Sequence, residues 1–278
     1  EECCGARLRT FRTFQGQHFN VRGLERLVMA AGDKKVVLLN FPNNPTGYTA
    51  TDEEALEIRD VLLRAAEAGK RLVVILDDAY FGLVYEKGVF RESLFTLLAS
   101  LHPNLLAVKL DGPTKEDYVW GLRVGFVTYG IKGGTPVHYK ALEAKSAGIV
   151  RATISSGSNL SQQLLAHAFT CPGYAEQKAA KFATLEARYR RIRNILREHP
   201  EYRESFTPMP FNSGYFMCVK PVGVEAETVR QRLLAEYQTG TIVLGGLLRL
   251  AFSCVPLTSL DTLFANLHDA IRTLKSQP

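Results

Sequence analysis

The feature that most constrains the fold of this 278-residue chain is a series of short apolar runs separated by helical patterns. The runs are Val36–Leu39, Leu72–Leu76 and Leu105–Leu110. Continuous apolar runs of this length are typical of strands buried on both faces of a parallel sheet. Between the first two, Thr51 and Glu54 form a capping box that predicts the start of a helix. The order strand, helix, strand, helix, strand predicts an α/β fold with a mostly parallel sheet.

Polar residues suited to binding follow each of these strands. Asn44 lies in a loop after the first run, Asp77 directly follows the second, and Lys115 follows the third. Ligands bind at the carboxyl ends of the strands in such sheets, so we expect these three residues in one site. A lysine in a small-residue loop can be held partly desolvated, which favours the neutral amine that forms Schiff bases. Taken alone, Lys115 would more simply be a solvated loop lysine.

The second half of the chain has a different pattern. A long, strongly charged helix is predicted from Tyr174 to His199 and ends at Pro200. Its length and polarity suit a connection between domains. We therefore predict a large domain over residues 1–170, an interdomain helix over 171–199 and a small C-terminal α+β domain over 200–278.

Composition excludes several classes of protein. With 46% hydrophobic and 22% charged residues the chain has the composition of a soluble globular protein. The sequence has no block of lysine and arginine residues that would indicate nucleic-acid binding. No apolar run reaches the length of a membrane span. The net charge of +6 fits a phosphate or carboxylate partner, although solubility explains it equally well. The five cysteines are scattered without metal-ligand spacing, which predicts reduced thiols, no metal and a cytoplasmic location.

The polar residues at the strand ends match one cofactor. Proteins use pyridoxal phosphate (PLP) as an electron sink by holding its pyridine ring with an aspartate and its carbonyl carbon with a lysine. A pyridinium N–H would supply the charge that keeps Asp77 ionised at the end of an apolar strand. Tyr80 and Asn44 could hydrogen-bond the phenolic oxygen of the ring. Thr114 and Arg123 would hold the phosphate, for which an arginine fork is well suited.

The sequence resembles the fold-type I, PLP-dependent aminotransferases of class I/II, which are similar to aspartate aminotransferase. The resemblance covers nearly the whole chain and implies a three-layer PLP-transferase large domain, of which residues 1–170 are the remainder, and a small C-terminal α+β domain. Four motifs carry it, in the family's order: Asn-Pro-Thr-Gly at 44–47, Asp-x-Ala-Tyr at 77–80, Thr-Lys at 114–115 with Arg123 eight residues later, and Arg249 within residues 247–253.

This resemblance implies a transfer of an amino group between an α-amino acid and a 2-oxo acid, in an enzyme that is a homodimer. It implies a role for each motif residue: Lys115 forms the aldimine and moves the proton, Asp77 pairs with the pyridine nitrogen, Tyr80 and Asn44 bind the phenolic oxygen, Thr114 and Arg123 bind the phosphate, and Arg249, with Asn44, binds the substrate carboxylate.

The chain also departs from the family pattern. Gly112 stands where a hydroxyl residue is usual, and Pro113 and Tyr118 are unusual as well. The glycine-rich phosphate loop, the aromatic residue that stacks on the pyridine and the tyrosine given to the partner's site have no counterpart. We therefore expect an enzyme that lacks its N-terminal portion and binds the cofactor weakly or not at all. Trp120 is expected to be a packing residue.

Besides a catalytically inactive remnant of an aminotransferase, against which the intact Lys115, Asp77 and Arg249 argue, two alternatives stay open. A lyase or synthase of the same superfamily shares Lys115, Asp77 and Arg249, so these residues do not exclude it. The ligand-sensing domain of a PLP-fold transcription regulator is the second alternative. A basic winged-helix segment upstream would indicate the regulator, and a glycine-rich phosphate loop would indicate the enzyme.

Overall fold

The chain forms two compact units, each with its own sheet. The structure is a computed structural model that describes Gly5 and residues 7–276. The first unit consists of the described residues up to Phe41 together with Ala50–Gly82 and Gly88–Leu165. The second consists of Pro42–Thr49, Leu83–Lys87 and the described residues from Ala166 onward. Two short segments from the first half of the chain therefore fold with the second half.

The first unit is built on a four-stranded sheet in the order β3-β4-β5-β6. Strands β3, β4 and β5 are parallel, and β6 is antiparallel to β5. The sheet is therefore mostly parallel, as predicted. The elements of this unit are β1 (Phe14–Gln15), β2 (His18–Phe19), α1 (Val21–Met29), β3 (Lys34–Asn40), α2 (Asp52–Glu67), β4 (Arg71–Asp77), α3 (Phe95–Leu98), β5 (Leu105–Asp111), α4 (Pro113–Glu116), β6 (Phe126–Ile131), α5 (Pro136–Thr153) and, up to Leu165, α6 (Asn159–Thr170).

Helix α2 begins at the predicted capping box. The Thr51 hydroxyl accepts a hydrogen bond from the Glu54 N–H, and the Glu54 carboxylate accepts one from the Thr51 N–H. The other oxygen of Glu54 accepts from the Phe19 N–H at 2.9 Å, which ties the β1–β2 hairpin to the helix. Ile58 and Leu62 of the same helix are fully buried. One acidic residue therefore fixes both the start of the helix and the position of the hairpin.

The burial predicted for the first strand is wrong on one face. Val37 and Leu39 are buried, but Val36 and Leu38 are 64% and 65% exposed. Strand β3 lies at the edge of the described sheet, and successive side chains point to opposite faces. None of the described residues covers its second face well enough to bury these two side chains.

Two further expectations need correction. Lys115, expected in a loop, lies in the one-turn helix α4, with Pro113 at its first position. Trp120, expected to be a packing residue, is 61% exposed and does not pack in the core.

The second unit is built on an antiparallel sheet in the order β7-β8-β10-β9. Its buried core includes Phe206, Phe252, Phe264 and Met217. Among its described elements, α9 packs against α7 and α8. The elements are the end of α6 with α7 (Tyr174–Glu198), β7 (Phe206–Pro208), β8 (Met217–Pro221), α8 (Ala226–Tyr237), β9 (Ile242–Leu244), β10 (Leu247–Leu250) and α9 (Leu260–Ser276).

The long helix α7 runs over almost the residues that its pattern predicts. It buries Leu185, Tyr189, Ile192 and Ile195 within the second unit. The division by packing thus groups this helix with the C-terminal residues, whereas the domain bounds 1–170, 171–199 and 200–278 stay a prediction. Among the residues that the structure describes, none of the helices is both long and apolar enough to cross a membrane.

Candidate active site

Asp77 is the last residue of β4, at the carboxyl end of the parallel sheet. Its neighbour in register on β3 is Asn40, whose side-chain amide donates to the Asp77 carbonyl oxygen at 2.9 Å. The Asp77 carboxylate accepts a hydrogen bond from the Ala79 N–H at 3.2 Å, and the residue is half-buried. The sheet register and this local turn therefore fix the position of a carboxylate at the strand end.

Lys115 and Tyr80 lie together in the same unit. The Lys115 amino nitrogen is 5.9 Å from the centre of the Tyr80 ring. Tyr80 is only 7% exposed and Lys115 is half-buried. Tyr80 follows β4 and Lys115 follows β5, which are neighbouring parallel strands. The structure thus brings together two of the predicted residues, at the sheet edge where the strand order predicts them.

The segment after Lys115 has an unusual backbone. Tyr118 and Arg123 both have a left-handed conformation, with φ of 61° and 55°. This region is uncommon for residues other than glycine and clusters at functional sites. Arg123 is exposed and donates to the Trp120 carbonyl at 3.2 Å. The Thr114 hydroxyl lies 3.5 Å from the carbonyl oxygen of Val124, so Thr114 lies beside the backbone that follows Arg123.

Gly112 has a physical reason to replace a hydroxyl residue. A Cβ atom at this position would lie 2.8 Å from the Val124 carbonyl oxygen and 3.0 Å from the Gly125 Cα. Both neighbours are backbone atoms, which cannot move as a flexible side chain can. The two ends of the segment from Gly112 to Gly125 therefore approach each other too closely for any side chain at 112.

Asp78 is a buried acid that sequence reasoning missed. It is 5% exposed, and its Oδ2 atom has no hydrogen-bond partner among the described residues. Burial raises the pKa of this carboxyl from its usual value near 3.8 to about 6, against the opposing effects of the Ser93 hydrogen bond and the Lys109 charge. Lys109 itself pairs with Asp111 and lies 5.0 Å from the centre of the Phe81 ring. Asp77 and Asp78 follow the same apolar run, and nothing in the sequence predicts that Asp78 is the more deeply buried of the two.

Arg249 and Asn44 form a second group, within the second unit. The Arg249 Nη1 atom donates to the Asn44 Oδ1 atom at 3.0 Å, and the guanidinium carbon lies 4.3 Å from the centre of the Phe216 ring. Arg249 pairs across the sheet with Cys218, whose pKa burial raises to about 12, so the thiol is neutral. In the part of the chain that the structure describes, no carboxylate contacts Arg249. Among the described residues, the guanidinium therefore has no carboxylate counter-ion.

The segment that carries Asn44 is held by a set of buried hydrogen bonds that we call the clasp, formed by residues 42–49 and 212–216. The Gly47 carbonyl accepts from the N–H groups of Asn212 and Ser213, both at 2.9 Å, and from the Ser213 hydroxyl at 3.1 Å. Asn212 also exchanges two hydrogen bonds with the Thr49 backbone, at 2.8 and 2.9 Å. Asn212 and Ser213 were not singled out from the sequence, where an Asn-Ser-Gly stretch reads as an ordinary turn.

Gly47 is irreplaceable by this geometry. Its φ is +73°, and a Cβ atom would lie 1.9 Å from the Phe216 carbonyl oxygen and 2.8 Å from that of Ser213. Sequence motifs that contain glycine are often explained by turn conformation alone. Here the close approach of a second backbone segment adds a stronger requirement.

A profile of the family described as "Aminotransferase class I and II" matches residues 2–267 of the chain. The chain belongs to this family. The resemblance given by the four motifs is thereby confirmed. Glutamate–pyruvate aminotransferase of Haemophilus influenzae is 32% identical over 97 residues, which are 35% of this chain and 21% of that protein. Histidinol-phosphate aminotransferase of Streptomyces avermitilis is 29% identical over 179 residues, which are 64% of this chain and 43% of that protein.

Solved aminotransferase structures have the same fold. An aminotransferase from Anaerococcus prevotii superposes with a TM-score of 0.79 at 22% identity and covers 93% of this chain and 63% of its own. N-succinyldiaminopimelate aminotransferase from Mycobacterium tuberculosis gives a TM-score of 0.68 at 20% identity, over 92% of this chain and 63% of its own. The predicted α/β PLP-transferase fold class is confirmed. The chain spans less than two thirds of the length of these relatives.

The described residues contain neither a cluster of metal-ligand side chains nor a disulfide. Within Gly5 and 7–276, no group of three or more histidine, cysteine or acidic side chains is placed to hold a metal ion. The described cysteines, Cys171, Cys218 and Cys254, are free. Cys3 and Cys4 lie outside the described residues.

Proposed function

We propose that the protein is a PLP-dependent aminotransferase that moves an amino group from an α-amino acid to a 2-oxo acid. The observation that carries the proposal is that Lys115 lies beside Tyr80. Lys115 follows β5, and the neighbouring parallel strand β4 ends at Asp77. Membership of the aminotransferase family supports the same activity.

The residues of the first unit fit the cofactor by their chemistry. A half-buried carboxylate at a strand end, Asp77, suits a protonated pyridine nitrogen. A hydroxyl and an arginine, Thr114 and Arg123, suit a phosphate. The close backbone approach at Gly112 gives this segment the compact shape that a phosphate-binding turn requires. When bound, PLP supplies an electron sink for the bonds at the substrate α-carbon.

Lys115 carries the proton transfers in this proposal. Its amine would hold the cofactor and, once freed by the substrate, would take up and give back the proton at the substrate α-carbon. The nearby Tyr80 ring restricts where the amine can lie. The Tyr80 hydroxyl would donate a hydrogen bond to the phenolic oxygen of the cofactor, a role that the family resemblance also gives to the Asn44 amide nitrogen.

Arg249 binds the substrate carboxylate. A planar guanidinium offers two parallel N–H donors to a carboxylate, which gives both attraction and orientation. Its hydrogen bond to Asn44 and its contact with Phe216 set its orientation in advance. The absence of a contacting carboxylate among the described residues supports a ligand anion at this position.

The proposal extends to a cytoplasmic homodimer. Free cysteines at 171, 218 and 254 are in keeping with a reducing compartment. Helix α5 has none of its residues buried in the first unit, and apolar side chains such as Ile149 and Val150 are exposed on it. Apolar surface of this kind marks interaction sites. Light scattering of the purified protein measures the mass directly, and a monomer at micromolar concentration would contradict the dimer.

The test of the site is cofactor trapping at Lys115. We expect that the protein, after addition of PLP and removal of the excess, shows a visible absorbance band that borohydride removes, and that peptide mapping then finds the reduced cofactor on Lys115. Lys115→Ala should lose the band, and the exposed Lys140→Ala on α5 should keep it. Reduced cofactor on another lysine would contradict the assignment.

The reaction products separate an aminotransferase from the alternatives. An aminotransferase converts the amino acid into its 2-oxo acid without releasing ammonia, and the amino group reappears on the second 2-oxo acid. A lyase or synthase of the superfamily releases ammonia or the side-chain leaving group, or closes a ring. A ligand-sensing domain binds the amino acid without turnover. Mass spectrometry of a 15N-labelled amino acid incubated with the protein and a 2-oxo acid distinguishes these outcomes.

A further inference from the structure

Phe216 lies against the arginine that the proposed function assigns to the substrate carboxylate. The guanidinium carbon of Arg249 is 4.3 Å from the centre of the Phe216 ring, well within the range of a cation–π contact. The aromatic ring is half-buried, so this contact is partly shielded from solvent. None of the four sequence motifs includes Phe216.

The sheet explains why these two side chains meet. Arg249 of β10 pairs directly with Cys218 of β8. Phe216 precedes Cys218 by two residues, and residues two apart on an extended segment point to the same face. Phe216 is therefore the diagonal cross-strand neighbour of Arg249, a separation that aromatic and long side chains span.

Two contacts fix the guanidinium. The hydrogen bond from Nη1 to Asn44 fixes its rotation, and the Phe216 ring lies against the guanidinium. The Nε atom is covered from solvent and has no hydrogen-bond partner among the described residues. The electron-rich face of the ring is attractive to the cation and so offsets part of the loss of hydration. Without the ring, Arg249 would keep one directional contact.

Phe216 is itself held in place by the clasp. Its carbonyl oxygen contacts Gly47 so closely that a Cβ there would lie 1.9 Å away. Its neighbour Tyr215 is buried, and the two rings are 6.3 Å apart in an edge-on arrangement. The clasp thus fixes both partners of Arg249, because Asn44 and Phe216 lie on its two segments.

We propose that Phe216 is a positioning residue that holds the Arg249 guanidinium in the orientation needed to bind a substrate α-carboxylate. This inference rests on the proposed function. Phe216 acts through Arg249 and not on the reacting atoms. Its removal should therefore weaken recognition of the carboxylate group specifically, and leave steps that do not involve the carboxylate unchanged.

The experiment compares ligands that differ only in the carboxylate. In the PLP-loaded protein, calorimetry measures the dissociation constants of 3-phenylpropanoate and of the neutral 3-phenylpropanamide. We expect the wild-type protein to bind the acid more tightly than the amide. In Phe216→Leu the ratio of the two dissociation constants should fall about tenfold, because leucine keeps the bulk of the side chain but not the aromatic face. Phe216→Trp should retain the preference within about threefold, since a tryptophan face is at least as attractive to a cation. Phe182→Leu, which removes a ring that packs on Tyr85 elsewhere in the second unit, is the matched control and should retain it fully.

Steady-state kinetics provide a second readout. For Phe216→Leu we expect a rise of about tenfold in the Michaelis constant for the amino acid with kcat changed less than about threefold, since the lost contact serves binding. An unchanged preference for the acid in Phe216→Leu, or an equal loss in Phe182→Leu, would overturn the role of Phe216 and leave the aminotransferase proposal standing. A wild-type protein that does not prefer the acid would overturn the carboxylate role of Arg249, and the role of Phe216 with it.

Discussion

The two groups of candidate site residues are built in different ways. In the first unit, Asp77, Tyr80 and Lys115 lie at the carboxyl ends of parallel strands, where strand register sets their approximate place. In the second unit, Asn44 and Arg249 are fixed by the clasp, in which Thr49, Asn212 and Ser213 are buried and hydrogen-bonded to one another. The first group depends on the register of neighbouring strands, and the second on hydrogen bonds and a close backbone approach between segments far apart in the sequence. The clasp should therefore respond to substitution far more sharply than the strand ends.

Replacement of Gly47 by alanine gives the largest expected effect. The new Cβ would meet the Phe216 carbonyl oxygen at 1.9 Å, and a backbone contact cannot relax as a side chain does. We expect a loss of more than about 4 kcal/mol in the free energy of unfolding, measured by urea denaturation followed by circular dichroism.

The matched control for this prediction is Gly246→Ala in the same unit. Gly246 has a similar φ of +81°, but a Cβ there would have no atom within 4 Å. Gly246→Ala should therefore lower the free energy of unfolding only by the cost of placing a residue with a Cβ in the left-handed conformation, about 1–2 kcal/mol. Equal losses at 47 and 246 would show that the turn conformation, and not the clasp, explains the glycine at 47.

Arg249→Ala is expected to have the next largest effect. Loss of a charge-assisted pair should lower kcat/KM for the amino acid by about 100-fold, on the order of 3 kcal/mol, mainly through the Michaelis constant. Arg203→Ala, an exposed arginine of the same unit, should have no effect on either constant. A Michaelis constant that stays the same in Arg249→Ala would remove this arginine from the substrate site.

Asp78 tests the first unit through pH. Its pKa of about 6 in the folded protein exceeds the usual value near 3.8, so between these values the folded state binds more protons than the unfolded state. The free energy of unfolding therefore falls as pH rises through this window, by about 3 kcal/mol, and stays lower above it. Asp78→Asn should remove this slope and be more stable than wild type at pH 7.5 but not at pH 4.

Urea midpoints at pH 4, 6 and 7.5 measure the effect of Asp78→Asn. Asp33→Asn, at an exposed acid of the same unit, should leave the wild-type slope unchanged. If Asp78→Asn is instead less stable than wild type at pH 7.5, the attraction of Lys109 and the Ser93 hydrogen bond outweigh the burial of the charge, and the strand ends would be as specifically built as the clasp.

The same contrast explains what could be predicted from the sequence. The apolar runs and the capping box of Thr51 and Glu54 predict β3, β4, β5 and α2, because they depend on neighbours in the chain. The exposed face of β3 could not be predicted, since a continuous apolar run does not tell whether both faces are covered. The meeting of Asn44 with Arg249, 205 residues apart, followed only from the family resemblance. The burial of Asp78 and the role of Asn212 and Ser213 depend on packing between distant segments. No local sequence pattern predicts such packing.

Replacement of Thr114 is expected to have the smallest effect of these substitutions. Its hydroxyl is 3.5 Å from the Val124 carbonyl oxygen, a distance too long for a strong hydrogen bond. Thr114→Val should therefore change the free energy of unfolding by less than about 0.5 kcal/mol. It should weaken PLP binding by about 1 kcal/mol, roughly fivefold, because the hydroxyl would donate to the phosphate, whereas Thr114→Ser should bind as wild type does. Fluorescence titration with PLP measures both variants. A large loss of stability in Thr114→Val would mean that this hydroxyl holds the segment from Gly112 to Gly125 together. The site residues of the first unit would then be fixed by specific contacts, as those of the second unit are.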